Sequence, residues 1–144
     1  MRVLIAFDKF KDALSAGEAC QIAAEAVRNK HPLWEIDLAP LTDGGEGFAG
    51  ILTESAKGEL ETVSVRGPKE QQVAADFGWV ELNRLSPTAL ERLKLGDRTH
   101  GRIAIIEMAQ ASGLQILPMT ERDPWHTTSF GTGELIHYAT EQGA

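Results

Sequence analysis

Residues 2–27 read RVLIAFDKFKDALSAGEACQIAAEAV, and this stretch decides the fold. RVLIAF (2–7) is a short continuous apolar run, the pattern of a strand covered on both faces. A charged loop, DKFKD, follows it. Ser15 and Glu18 have the S-x-x-E spacing of a capping box. Ala19, Ile22, Ala23, Ala26 and Val27 then recur at i, i+3, i+4, i+7 and i+8, which predicts an amphipathic helix over 16–30. His31-Pro32 stops it. EIDLAPL (35–41) reads as a second strand and TDGGEG (42–47) as a turn. Phe48, Ile51, Leu52 and Ala56 form another helical stripe, predicting a helix over 45–57 that Gly58 ends. Strand, helix, strand, helix implies an α/β fold with a parallel sheet and right-handed crossovers.

The rhythm changes after residue 60. ETVSVRG and QQVAADFGWVEL alternate around PKE, which predicts two antiparallel strands. SPTALERLKLG (86–96) predicts a short helix with Ser86 as N-cap and Pro87 in first position. RIAIIEMA (102–109) is again a buried strand, expected to lie parallel to 2–7 and 36–41 in one sheet. A last helix is expected at about 131–142, with Leu135, Ile136 and Ala139 on one face. No strand follows it, so the pattern reads as the beginning of a larger protein. The unfinished sheet leaves an open edge through which copies could self-associate.

Composition narrows the function. The 144 residues carry a net charge of −7, which disfavours binding to a nucleic-acid backbone, because that needs a basic footprint. Cys20 is the single cysteine, which rules out an intrachain disulfide and a multi-cysteine metal site. It lies at an apolar helical position and reads as a small buried hydrophobe. No apolar run approaches the roughly 20 residues that span a bilayer. The early charges Asp8, Lys9, Lys11 and Asp12 do not fit a signal peptide. A cytoplasmic protein with no nucleic-acid or membrane partner is expected. The histidines at 31, 100, 126 and 137 have no metal-helix spacing, and the three tryptophans are too dispersed to stack bases.

Three loops carry candidate chemistry. DKFK puts Asp8, Lys9 and Lys11 at a strand end, where Lys11 could pair with a phosphate or simply face solvent. TDGGEG combines Asp43 and Glu46 with glycines that permit close backbone approach. Its carboxylates could take a proton from a hydroxyl or hold a metal, or Asp43 could cap the next helix and Glu46 close the box. TTSFGTG (127–133) offers Thr127, Thr128, Ser129 and Thr132 with Gly131 and Gly133 at a helix start, where unpaired N–H groups favour an anion. It is not a Walker P-loop, and a plain N-cap is the alternative.

FDKFKDALSA, PLTDGGEG, IEMAQASGLQILP and RDPWHTTSFGTGELI stand in this order and spacing, and together they resemble the bacterial glycerate kinases of type I. The resemblance spans nearly the whole chain and is weakest over 83–101. It implies ATP- and Mg²⁺-dependent phosphorylation of D-glycerate, at the 2-hydroxyl, to 2-phosphoglycerate. It implies a Rossmann- or flavodoxin-like domain into which a second α/β domain is inserted. By this comparison 1–61 begins the first domain, 62–101 belongs to the inserted one, and 102–144 returns to the first. It also implies that Asp8, Lys11, Asp43, Gly44, Gly45 and Glu46 are site residues, with Ser129, Gly131 and Thr132 as an anion cradle. No protein residue is assigned as a metal ligand.

Two positions depart from the family pattern: Phe7 stands where proline is frequent and Asp12 where glycine is. Family members are more than twice as long. The resemblance therefore implies the N-terminal portion of such an enzyme, inactive alone, with a further Gly- and Asp-rich loop to follow. A non-catalytic module that binds a small carboxylate or nucleotide is the alternative.

Overall fold

A computed structural model describes residues 1–11, 13–95 and 97–144; Asp12, the second departure from the family pattern, lies outside them. The first two strands form as expected. β1 (Arg2–Ile5) pairs in parallel with β2 (Glu35–Leu38) from Arg2↔Glu35 to Ile5↔Leu38. The Ala39 and Leu41 N–H groups extend the pairing by donating to the Ile5 and Phe7 carbonyls.

Helix α1 (Ala16–Lys30) makes the crossover. Its capping box is complete: Ser15 Oγ accepts from the Glu18 N–H, and the Glu18 carboxylate accepts from the Ser15 N–H. Cys20 and Ala24 are fully buried against Ile5 and set the phase of the inner face. Ile22, expected to point inward, is 53 % exposed, because two residues from Cys20 turn a helix about 200°. Small residues on the inner face let α1 lie close to the sheet.

The third strand of the expected parallel sheet is not there. β3 (Glu59–Arg66), β4 (Gln72–Glu81) and β5 (Arg102–Ile106) form a separate sheet in the order β3-β4-β5. Both pairings are antiparallel, and β5 aligns with β4 from Phe77↔Ile106 to Glu81↔Arg102. An unbroken apolar run reports burial on both faces and does not say which neighbour supplies the hydrogen bonds. The fold is thus a mixed α/β arrangement with one parallel and one antiparallel sheet.

β4 is the centre of this second sheet. Phe77 and Trp79 face one side, where they pack with Val65, Ala111, Leu135 and Ala139. Gly78 faces the other, with a Cβ position only 1.6 Å from Thr53 Oγ1. Helix α2 (Phe48–Ser55) therefore follows β2 in sequence and packs on the second sheet, while α4 (Met108–Ser112) and α5 (Phe130–Glu141) cover its opposite face. In α5 the inner positions are Gly131, Leu135 and Ala139. Ile136, expected among them, is 54 % exposed.

Helix α3 (Pro87–Arg92) starts as predicted, with Ser86 Oγ accepting from the Ala89 N–H. The outer side of β5 has no neighbouring strand among the described residues. Beside it runs a largely apolar groove of about 890 Å³, bordered by Phe48, Leu52, Leu93, Ile103 and Ile105. No helix among the described residues is long and apolar enough to cross a membrane.

Candidate functional site

The loop after β1 and the loop after β2 come together. Lys9 Nζ donates to the Glu46 carbonyl at 3.2 Å, and Asp8, Lys9, Glu46 and Gly47 border one cleft of about 460 Å³. Lys9 is thus the lysine that reaches the glycine loop, while Lys11 is exposed and borders none of this cleft. The two lysines are two residues apart in an irregular loop, and spacing alone does not rank them.

The glycine loop is shaped from within. Asp43 Oδ1 accepts from the Gly45 N–H at 3.0 Å, and Thr42 Oγ1 from the Gly44 N–H at 3.3 Å. These are Asx- and ST-type turns. Gly44 and Gly47 have φ of +94° and +92°, a conformation that side chains rarely adopt. Neither Asp43 nor Glu46 caps α2, as the capping alternative would have it. The N-cap is Gly47, which has no side chain.

The cap comes from a distant residue. Glu107, at the end of β5, directs Oε2 to the N–H groups of Gly47 and Ala49, both at 3.1 Å. Its residue is 2 % exposed. Sequence reading passed over Glu107 because it sits inside IEMAQ, between a strand and a short helix, with no glycine or hydroxyl cluster to mark it. A lone acid directly after a buried strand was the available signal.

Of TTSFGTG, Thr127, Thr128 and Ser129 border a second cleft of about 490 Å³ with Pro68, Met108, Ser112 and Arg122, and Phe130, Gly131, Thr132 and Gly133 do not. Among the described residues, none borders both this cleft and the first. Most of its hydroxyls are engaged inside the protein. Thr127 Oγ1 donates to the Asp123 carbonyl, Thr128 Oγ1 accepts from the Phe130 N–H, and Thr132 Oγ1 lies 2.8 Å from Ser112 Oγ. Ser129 is the N-cap of α5 without a side-chain cap bond, and it borders the cleft. Gly131 is buried against the Arg66 backbone.

The start of α5 is further tied to β3 by charge. Glu134 accepts from the Arg66 backbone N–H at 2.7 Å and from Arg66 Nε at 2.8 Å. The backbone bond, and then the guanidinium, hold its carboxyl below the usual range. The Arg66 guanidinium also stacks over the Phe130 ring at 3.7 Å. In the same cleft the His126 imidazole, then the Trp125 N–H, lower the Asp123 carboxyl. Among the described residues no three His, Cys, Asp or Glu side chains converge as a metal cluster.

Comparison with known proteins shows the family. The model of the glycerate kinase family matches residues 3–144. A glycerate kinase of Bacillus subtilis and a glycerate 2-kinase of Escherichia coli are each 38 % identical over 144 residues, covering 100 % of this chain and 33 % of each relative. The crystal structure of a candidate glycerate kinase 2 from Salmonella typhimurium LT2 superposes with a TM-score of 0.70 at 38 % identity, over 98 % of this chain and 33 % of that one. The chain spans about a third of the length of the curated relatives it matches. With a family match over nearly every residue, the chain belongs to the glycerate kinase family.

Proposed function

We propose that this chain carries part of the site of an ATP-dependent kinase that phosphorylates D-glycerate at the 2-hydroxyl, giving 2-phosphoglycerate. The observation that carries the reading is the meeting of the DKFK and DGGEG loops, Lys9 Nζ on the Glu46 carbonyl, in a chain that matches named glycerate kinases end to end. Phosphoryl transfer needs two anions brought together, their repulsion offset and a hydroxyl deprotonated. In this reading Asp8 and Asp43 are the carboxylates beside the substrate hydroxyl, and Lys11 with Lys9 offsets anionic charge. Gly44, Gly45 and Glu46 supply backbone to one ligand. In the same reading Ser129, which borders the second cleft, serves the other anion together with Gly131 and Thr132 in the first turn of α5.

Magnesium is usually held by phosphates together with one or two carboxylates. The donor set here fits such a phosphate-borne ion, with Asp8 and Asp43 as the carboxylates on offer, and does not fit a dedicated cage. When bound, the ion would neutralise charge on the phosphates. A cytoplasmic location and a small-molecule partner go with this reading, and the open β5 edge goes with self-association. The test is D-glycerate-dependent ADP formation by the protein that contains this chain. ATP hydrolysis indifferent to D-glycerate would refute it.

A further inference from the structure

Glu107 presents a buried carboxylate with divided satisfaction. Oε2 accepts from two backbone N–H groups at the start of α2, while Oε1 has no hydrogen-bond partner among the described residues. A polar atom buried without a partner costs free energy, and a carboxylate buried beside no cation costs more. Among the described residues Glu107 forms no ion pair. A plain helix cap does not require this, since a Ser or Asp in the local sequence does the same at a fraction of the desolvation cost.

What Glu107 does differently is reach across the fold. It follows β5 directly, its own carbonyl accepts from the Gln110 N–H in α4, and its side chain grips Gly47 and Ala49. It thereby ties the end of the glycine loop to the second sheet. Gly47 has a positive φ, and its peptide is held from both sides, by Glu107 on the N–H and by Lys9 on the Glu46 carbonyl. From α4 the linkage runs on to α5 through Ser112 and Thr132. The carboxylate also occupies the Gly47 and Ala49 N–H groups at the start of α2, which are then not available to a ligand anion.

We propose that Glu107 is a positioning residue that fixes the TDGGEG loop by its grip on the Gly47 and Ala49 N–H groups, and so sets substrate affinity without touching substrate. This rests on reading that loop as part of the kinase site. Two variants of the protein containing this chain test it, Glu107→Ala and Glu107→Gln, with two readouts. The first is amide hydrogen exchange at Gly47 and Ala49, with α1 amides as the internal reference. The second is the division of any loss between KM and kcat for D-glycerate-dependent ADP formation.

In Glu107→Ala, exchange at Gly47 and Ala49 should quicken at least about tenfold, as expected for losing a hydrogen bond to a charged acceptor, with α1 unchanged. KM should rise by a similar factor with kcat less affected. Glu107→Gln keeps one acceptor oxygen and should fall between, and it decides the matter if the alanine variant does not fold. Unchanged exchange at both amides overturns the proposal, and so does faster exchange with KM unmoved, which would make Glu107 a cap alone. Should the parent protein show no response to D-glycerate, the kinase reading fails, while the exchange arm still decides whether the clamp exists.

Discussion

A Cβ placed on Gly131 would lie 1.8 Å from the carbonyl oxygen of Arg66, so α5 and the end of β3 touch backbone to backbone. The glycine is demanded by packing whatever ligand the neighbouring cleft takes. Gly131→Ala should therefore destabilise the fold by about 1–3 kcal/mol, the range for overpacking. Gly133, two residues on, has nothing within 4 Å of its Cβ position. Gly133→Ala should be neutral or gain up to about 1 kcal/mol of helix propensity. Urea titrations of the two variants check this, and equal midpoints would contradict it.

Glu61 accepts from Tyr138 Oη at 2.6 Å and from Trp79 Nε1 at 2.7 Å, joining α5 to β3. The tyrosine bond, then the tryptophan bond, lower the Glu61 carboxyl from its usual 4.5. A depressed folded-state value means that this stabilisation is present above about pH 4.5 and is lost as pH falls through the folded value. Glu61→Gln should cost stability at pH 7, and its deficit should shrink on acidification. A deficit that stays constant from pH 7 to pH 3 would show that the charge of Glu61 is irrelevant.

The Tyr138 hydroxyl shifts upward for the reciprocal reason, the Glu61 bond first and burial second. Its contribution is complete below the ordinary value of 10.0 and disappears as pH rises through the raised one. Ultraviolet titration should show this phenol ionising later than a free tyrosine, and the delay should shrink in Glu61→Gln, which leaves only the burial contribution.

The edge of β5 and its apolar groove predict association. Unpaired strand edges beside apolar surface recruit further strands. The 144-residue polypeptide should show concentration-dependent mass in light scattering, and Ile105→Lys, which puts a charge at the groove, should reduce it. A constant monomer mass over a wide concentration range would count against the edge as an interface.

The 144-residue polypeptide alone should also form no ADP in response to D-glycerate. Its two candidate clefts share no bordering residue among those described, and it matches 33 % of each kinase relative. Turnover by material of confirmed mass near 15.7 kDa would refute this.

Local sequence rules read well where the structure is local. The Ser15–Glu18 box, the β3–β4 hairpin, the Pro87 helix start and the burial of Cys20 all follow from spacing. The β5 pairing does not, since RIAII states its hydrophobicity and not its neighbour. Inward faces were misjudged by one helical step at Ile22 and Ile136, where small residues set the phase that larger ones suggested. The family motifs single out Asp43 and the glycines, whose turn geometry the structure describes. The clamp by Glu107 rests on a contact 60 residues apart in sequence, which no local pattern contains.

The turn at 67–71, closed by the Gly67 N–H on the Gln71 carbonyl, has a consequence in time. Strands joined by so short a loop find each other within roughly 1–10 μs. β1 and β2 must wait for all of α1 to be threaded between them, and a longer loop closes at greater entropic cost. A refolding chain should therefore register β3 on β4 before β1 meets β2. Pulse-labelled exchange that protects the amides of 35–41 ahead of those of 72–79 would reverse that order.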